Sequence, residues 1–418
     1  MSSAPGTPLT VTLDRARAFW HRRQGLAEPA APDADPAAVL AATGWARTLG
    51  GIDVYLAITA RCPGASRAGI DEAVRAGALR VVPAVRGCIY LVPEADVTLV
   101  TALAAELQRP RTGRDLDKVG ATWDEVEALA DEVEQALAGG PLSTQAVRKA
   151  LPAGSVRSLG ELGKKVGMSS LLPVALRELE FNRRIERTPA GGRLDTERYE
   201  WCRIERPPAA ADPPLAEVGR LAAIARRFFE FFAPATVREL ATWVGVPQRD
   251  AKAAMAELPL EPVEVEGRRG EAWVLAGDRE SLAAAAPPPG SYSFLPFEDN
   301  LLTVHGGPGV LVDPAHHGRE VPRWGGSRPT TLGEARHIGY RPLLAGEKMV
   351  GFWEYDPDAG EVVTATFEPL ARGEEKTLGE ARERLAARVR DDLGHARSFS
   401  LDTDDAVRGR AAQLRRMG

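Results

Sequence analysis

Three observations in the sequence predict an α+β fold. The order helix, helix, β-hairpin occurs three times; an Ala/Pro-rich segment, "AAAAPPPGS" at 283–291, follows the third; and beyond it short β-branched and aromatic runs precede a charged amphipathic helix. The recurring order is that of a winged helix, so the chain reads as three tandem winged-helix motifs followed by a small β-rich C-terminal domain and a C-terminal helix. The expected boundaries are 1–138, 139–206, 215–282 and 290–418.

The elements follow in order. "DRARAFWHRRQGL" sets Ala16, Phe19 and Trp20 at helical spacing among Arg15, Arg17, Arg22 and Arg23, which predicts a basic amphipathic helix that Gly25 stops. After the Pro/Ala/Asp loop "AEPAAPDADP", helical patterns cover 36–42, 53–61 and 67–76, and "LRVVPAVRGCIYLVP" gives two short strands split by Pro83 and Gly87. In the second unit Ser143 or Thr144 is placed to cap "TQAVRKAL", Ser169 or Ser170 to cap "LLPVALRELEFNRR", and "RIERTPAGGRLDTERYEW" supplies two strands around Gly191-Gly192. In the third, "TVRELATWVG" and "QRDAKAAMAEL" form a helix pair about Gly245, with a wing built by "PVEVEG" and "EAWVLAG" around Arg268-Arg269-Gly270. "SYSFLPFEDNLLTVH", "EKMVGFWEYD" and "EVVTATFEPL" read as strands, and "EEKTLGEARERLAARVRDDLGHA" as a helix packed on them.

A chain of 418 residues is long for one core, and 44% apolar with 27% charged residues is ordinary for a globular protein. "MSSAPGTPLT" has no apolar core of a signal peptide and no run of about 18 apolar residues follows, so neither secretion nor membrane insertion is expected. Cys62, Cys88 and Cys202, odd in number and widely spaced, suggest no disulfide frame and no zinc spacing, which fits the cytoplasm. The net charge is -5, yet residues 141–206 carry 13 Lys+Arg against 8 Asp+Glu, so the basic charge is concentrated in the second unit.

A winged helix lays its second helix in a DNA groove and its wing on the backbone. Arg148, Lys149, Ser169, Ser170, Arg177, Arg183, Arg184, Arg187 and Arg193 are therefore expected at phosphates, with Arg86 from the first unit. The loop "DPAHHGREVPRWGGSRP" adds Arg319 and Arg323 as contacts and Trp324 for stacking. Its adjacent His316 and His317 point apart, with only Asp313 nearby, so no metal site is expected. There is no GxGxxG after a strand, no GxxxxGK[ST] and no recognisable nucleophile set. In "LPFEDN", read as a strand, Glu298 and Asp299 face opposite ways, so at most one is expected to enter a pocket.

Strings spread along the chain resemble the AlkZ/YcaQ-like DNA glycosylases: "RRQGLAEP", "YLAITAR", "RGCIYLVP", "LRELEFNRRIER", "ATVRELATWVG", "LPFEDNLL" and "AGEKMVGFWEYD". The resemblance implies tandem winged helices with a β-rich C-terminal part, and hydrolysis of the N-glycosidic bond of alkylated bases, those in interstrand crosslinks included. It also implies a Gln-aliphatic-Gln or Gln-aliphatic-Asp triplet that positions water, set a fixed distance before an "LxLxxR" helix. Aligned on Arg61, that triplet falls on Arg47, Thr48 and Leu49, where both polar positions differ: Arg47 has no acceptor and Leu49 no polar atom. Asp53 is the candidate substitute, with its place at a helix start as the competing explanation; Thr48 can orient a water, and Arg47 suits a phosphate or a flipped base.

Two functions follow. One is a cytoplasmic, nucleoid-associated and monomeric glycosylase that acts on damaged or distorted double-stranded DNA without a cofactor. The other is a non-catalytic winged-helix lesion binder or transcription regulator.

Overall fold

In the computed structural model, which describes residues 9–196, 198–205, 217–288, 290–326 and 328–417, helices and antiparallel sheets alternate along the chain in a mixed α+β arrangement. The first eight residues, and the boundary expected between the second and third units at 206–215, lie outside the described residues. No helix among the described residues is long and apolar enough to cross a membrane.

The first helix, Leu13–Arg23, is capped by the Thr12 hydroxyl, and Gly25 turns the chain away at φ +65°. Helices Pro36–Thr43, Asp53–Thr59 and Arg67–Arg75 and strands Leu79–Pro83 and Ile89–Pro93 stand where the periodicity puts them. The strands of the first two sequence units merge. Ala46–Arg47, Ile89–Pro93, Leu79–Pro83, Ile185–Pro189, Tyr199–Arg203 and Leu142–Ser143 form one six-stranded antiparallel sheet in that order, joined where Val81 pairs with Arg187. Strand Leu9–Val11 pairs in parallel with Leu260–Val265, so the N-terminus adds an edge to the sheet of the third unit.

Several helices among the described residues, the final Asp404–Met417 included, carry no counterpart in the sequence reading, and three of them shape the core. Glu94–Val119 runs unbroken through Pro110, whose missing N–H is tolerated because that turn is exposed to solvent. Trp123–Ala136 begins with a Thr122/Glu125 capping box. Glu217–Phe232 buries Phe228, Phe229, Phe231 and Phe232 against Trp45 and Trp243, each ring contributing about 1.5–3 kcal/mol of burial. The cap expected at Ser169 or Ser170 is absent: helix Leu172–Phe181 starts from Leu171, and the buried Ser170 hydroxyl instead accepts a hydrogen bond from Arg148.

In the C-terminal part, Tyr292–Phe294, Arg341–Ala345, Lys348–Asp356 and Glu361–Thr366 form a four-stranded antiparallel sheet. Helix Arg372–Ala387 and a final helix, Asp404–Met417, pack against it. The strand expected through "LPFEDN" ends at Phe294. Pro296 lacks a ladder donor, and Asp299 caps the short helix Asn300–Thr303 through the Leu301 N–H. This turn is what brings the C-terminal part to the site.

Candidate active site

Helix Pro36–Thr43 stops at Gly44, whose φ of +105° swings the chain into the two-residue strand Ala46–Arg47 at the end of the six-stranded sheet. Thr48 continues along that edge: its N–H and its hydroxyl both donate to the Ile89 carbonyl, at 3.1 and 3.3 Å. The Gly50-Gly51 pair then has a specific use. Gly50 takes φ +76°, and a Cβ on Gly51 would stand 2.2 Å from the Ser398 carbonyl carbon, so only glycine lets the loop lie against the C-terminal segment. Two backbone hydrogen bonds fasten it there, Ile52 N–H to Arg397 O and Ser400 N–H to Leu49 O.

A narrow pocket of about 20 Å³, roughly the room for one water, opens beside this loop, lined by Trp45, Arg47, Leu49, Asp53 and Arg61 and, from across the molecule, by Glu298, Asp299 and Asn300. The expectation that only one of Glu298 and Asp299 could enter a pocket is overturned. Both line it, because they stand on a turn and a helix cap rather than on a strand.

Each carboxylate of the pocket has a guanidinium partner. Arg61 grips Asp299 in a fork, with two contacts of 2.9 Å, and donates to Gln24 Oε1; Gln24 in turn donates to the Thr43 and Phe231 carbonyls, tying the pocket to the aromatic core. Asp53 is the first residue of helix Asp53–Thr59, but its oxygens are engaged elsewhere: Oδ2 accepts from the Phe297 N–H at 3.0 Å and Oδ1 from Arg341 at 2.8 Å. Burial pushes this carboxyl above the usual range, with Arg341 pulling the other way. Arg341, itself fully buried, also holds Glu354, Ser398 Oγ and the Ala396 carbonyl, and Glu354 continues to Arg410 and Asp402. Glu298 takes Arg47 on one oxygen at 2.6 Å and His337 Nδ1 on the other at 2.8 Å.

The three residues proposed from sequence for catalysis, Arg47, Thr48 and Asp53, thus stand within one short segment, with Arg47 and Asp53 lining the pocket and the Thr48 hydroxyl turned to a carbonyl. Sequence reasoning missed Arg61, Arg341 and His337 as members and allowed only one of Glu298 and Asp299. The available signal was Asp299 ahead of the apolar Leu301-Leu302, an N-cap pattern that removes Glu298 and Asp299 from a strand.

The basic residues of the second unit are largely engaged within the chain. Arg183 pairs with Glu94, Arg184 with Asp131 and Glu134, Arg187 with buried Glu180 while lying over Trp201, and Arg193 with Asp195. Arg177 donates to Gln108, and Arg86, at φ +57°, to Tyr90. Lys149 and Ser169 are exposed. Arg319 donates to the Phe367 carbonyl, and Trp324 is half-buried, its ring 4.9 Å from Phe297 and 4.8 Å from Phe399. Through the Trp324 N–H to the His337 carbonyl, the hairpin of Glu320–Val321 and Thr330–Thr331 adjoins the pocket, and Arg323, Arg328 and Arg336 are exposed there. Among the described residues no group of three or more His, Cys, Asp or Glu is arranged to hold a metal.

A family profile described as "DNA glycosylase AlkZ-like" matches residues 51–388. The fold is similar to that of a solved Streptomyces sahachiroi DNA glycosylase AlkZ, with a TM-score of 0.69, 20% identity, and coverage of 93% of this chain and 98% of that one. No curated protein matches the sequence.

Proposed function

The chain belongs to the AlkZ-like DNA glycosylase family, and from that premise we propose that it binds damaged duplex DNA and hydrolyses the N-glycosidic bond of an alkylated base at the Arg47–Glu298 pocket. One observation carries this reading. The Arg47–Asp53 segment, on which the resemblance sets the family's triplet, opens onto a pocket whose carboxylates are each paired with a buried or half-buried arginine. Fixed anions of this kind stabilise an oxocarbenium-like sugar without reorganising as it forms.

An N7-alkylated guanine suits such a site, because it is already cationic and leaves as a neutral base. Water is the nucleophile and no cofactor is required by the chemistry. Bases in interstrand crosslinks fall within the same reading, since they carry the same charged leaving group. The helix–hairpin units act as tandem winged helices, with the exposed Lys149 and the arginines of the hairpin beside the pocket meeting phosphates. The protein works as a monomer in the cytoplasm, at the nucleoid.

The second reading, a lesion binder, draws on the triplet position itself, where the Thr48 hydroxyl donates to a carbonyl and Leu49 has no polar atom. The test is to incubate the purified protein, in excess, with a duplex carrying one N7-methylguanine and to count abasic sites. Their formation supports hydrolysis, and retention of the duplex without them supports the binder.

A further inference from the structure

Nothing at the triplet position can take a proton from water, so a hydrolase built on this chain needs its base elsewhere. The pocket offers three carboxylates, and their partners separate them. Asp299 has both oxygens on Arg61 and a further bond to the Leu301 N–H, and both side chains of that pair are buried. Asp53 has one contact on each oxygen, but from the backbone Phe297 N–H and from an Arg341 that is wholly enclosed, so no partner of it reaches solvent through a side chain. Glu298 alone is held by partners that reach solvent: the side chains of Arg47 and His337 are 27% and 38% exposed, against 3% for Arg61 and 0% for Arg341. An ionised carboxylate is acceptor-only with about four lone-pair sites. The single contacts to Arg47 and His337 therefore leave Glu298 room to accept from a water, and they require His337 to carry its proton on Nδ1.

We propose that Glu298, held between Arg47 and His337, is the catalytic residue that binds and deprotonates the attacking water, in place of the family's polar triplet. The inference rests on the glycosylase reading. In the step, a lone pair of the water oxygen forms the bond to C1′ as the C1′–N9 bond breaks. The electron pair of that bond returns to the cationic purine, which leaves as neutral N7-alkylguanine, and the water proton passes to Glu298. Arg47 and His337 are positioning residues: they fix the two carboxylate oxygens so that the free lone pairs face the pocket. Arg47, which the resemblance sets at the triplet's first polar position, then has a use there, because an arginine on the edge strand reaches 2.6 Å from a carboxylate brought in by the C-terminal part.

The test compares single-turnover release of N7-methylguanine with DNA affinity and thermal midpoint for each variant. Glu298→Gln keeps the volume and one acceptor, and release is expected to fall 10²-fold or more at near wild-type affinity. Glu298→Ala is expected to regain part of the rate in added formate, which a structural role does not allow. His337→Ala is expected to slow release about tenfold with affinity unchanged, while His337→Asn, which places a donor where Nδ1 stands, retains most of the rate. Wild-type release by Glu298→Gln, or a Glu298→Ala variant indifferent to formate, overturns the inference and leaves the glycosylase reading in place. Absence of release from the wild-type protein overturns both.

Discussion

Replacing Asp53 by Asn separates anchoring from chemistry at the one acid that the Thr43–Arg61 segment carries. In the structure Asp53 is enclosed and bound to Arg341, which keeps Glu354 as a second anion, and Asn can still accept from the Phe297 N–H. Removing one member of a buried ion pair costs about 3–5 kcal/mol when it leaves the other charge uncompensated. Because Arg341 retains Glu354, the lower end applies, about 3 kcal/mol. With an unfolding entropy of about 2.1 cal/mol/K per residue over 418 residues, that loss lowers the thermal midpoint by about 3–4 °C. Calorimetry reads the shift, and base release measured well below the transition is expected to stay within about threefold of wild type. A midpoint that does not move, together with release lowered 10²-fold, would refute the anchoring role and return Asp53 to the chemistry.

Three further outcomes follow from the structure. His21 is fully buried with neither ring nitrogen hydrogen-bonded, and burial, with Arg61 nearby, pushes its imidazole down to about 4. The unfolded chain titrates near 6.5, so it takes up the proton first; stability is fully present above about pH 6.5 and is lost as pH falls towards about 4, by roughly 3 kcal/mol. Urea unfolding at pH 7.5 and 4.5 should show that loss, and His21→Leu should diminish it. Ala substitutions at Arg323, Arg328 and Arg336 together should weaken duplex binding tenfold or more and flatten the salt dependence by about 2–3 in log–log slope, whereas Arg183→Ala, which strips a partner from Glu94, should act mainly on the thermal midpoint. Dialysis against EDTA should leave base release unchanged; loss restored by zinc would count against a water-and-carboxylate mechanism.

The local elements were readable because periodicity and caps act over a few residues. Ser143 caps the helix it is placed to cap, the helices that follow Thr12 and Thr236 stand where their periodicity puts them, and Gly245 ends the helix before it in the left-handed region. What joins these elements was not readable. The merged six-stranded sheet depends on Val81 meeting Arg187 across more than a hundred residues, and no local pattern encodes that register. The site divides the same way. The Thr43–Arg61 segment drew notice through the triplet that the resemblance sets on it and through Asp53, yet every charge in it is answered from the far C-terminal part: Arg47 by Glu298, Arg61 by Asp299 and Asp53 by Arg341. The charge count over 141–206 could not show how those charges are used within the chain, since Arg184 and Arg187 are balanced by Asp131, Glu134 and Glu180, acids that a net sum cannot assign to partners.

The measurement that bears most directly on the function is the fate of one N7-methylguanine in a defined duplex, followed under single-turnover conditions with affinity for the same duplex recorded alongside. Hydrolysis at the Arg47–Glu298 pocket predicts free N7-methylguanine and an abasic strand in equal amounts, at a rate well above spontaneous depurination. A protein that holds the damaged duplex tightly while the base is lost no faster than in buffer would contradict it.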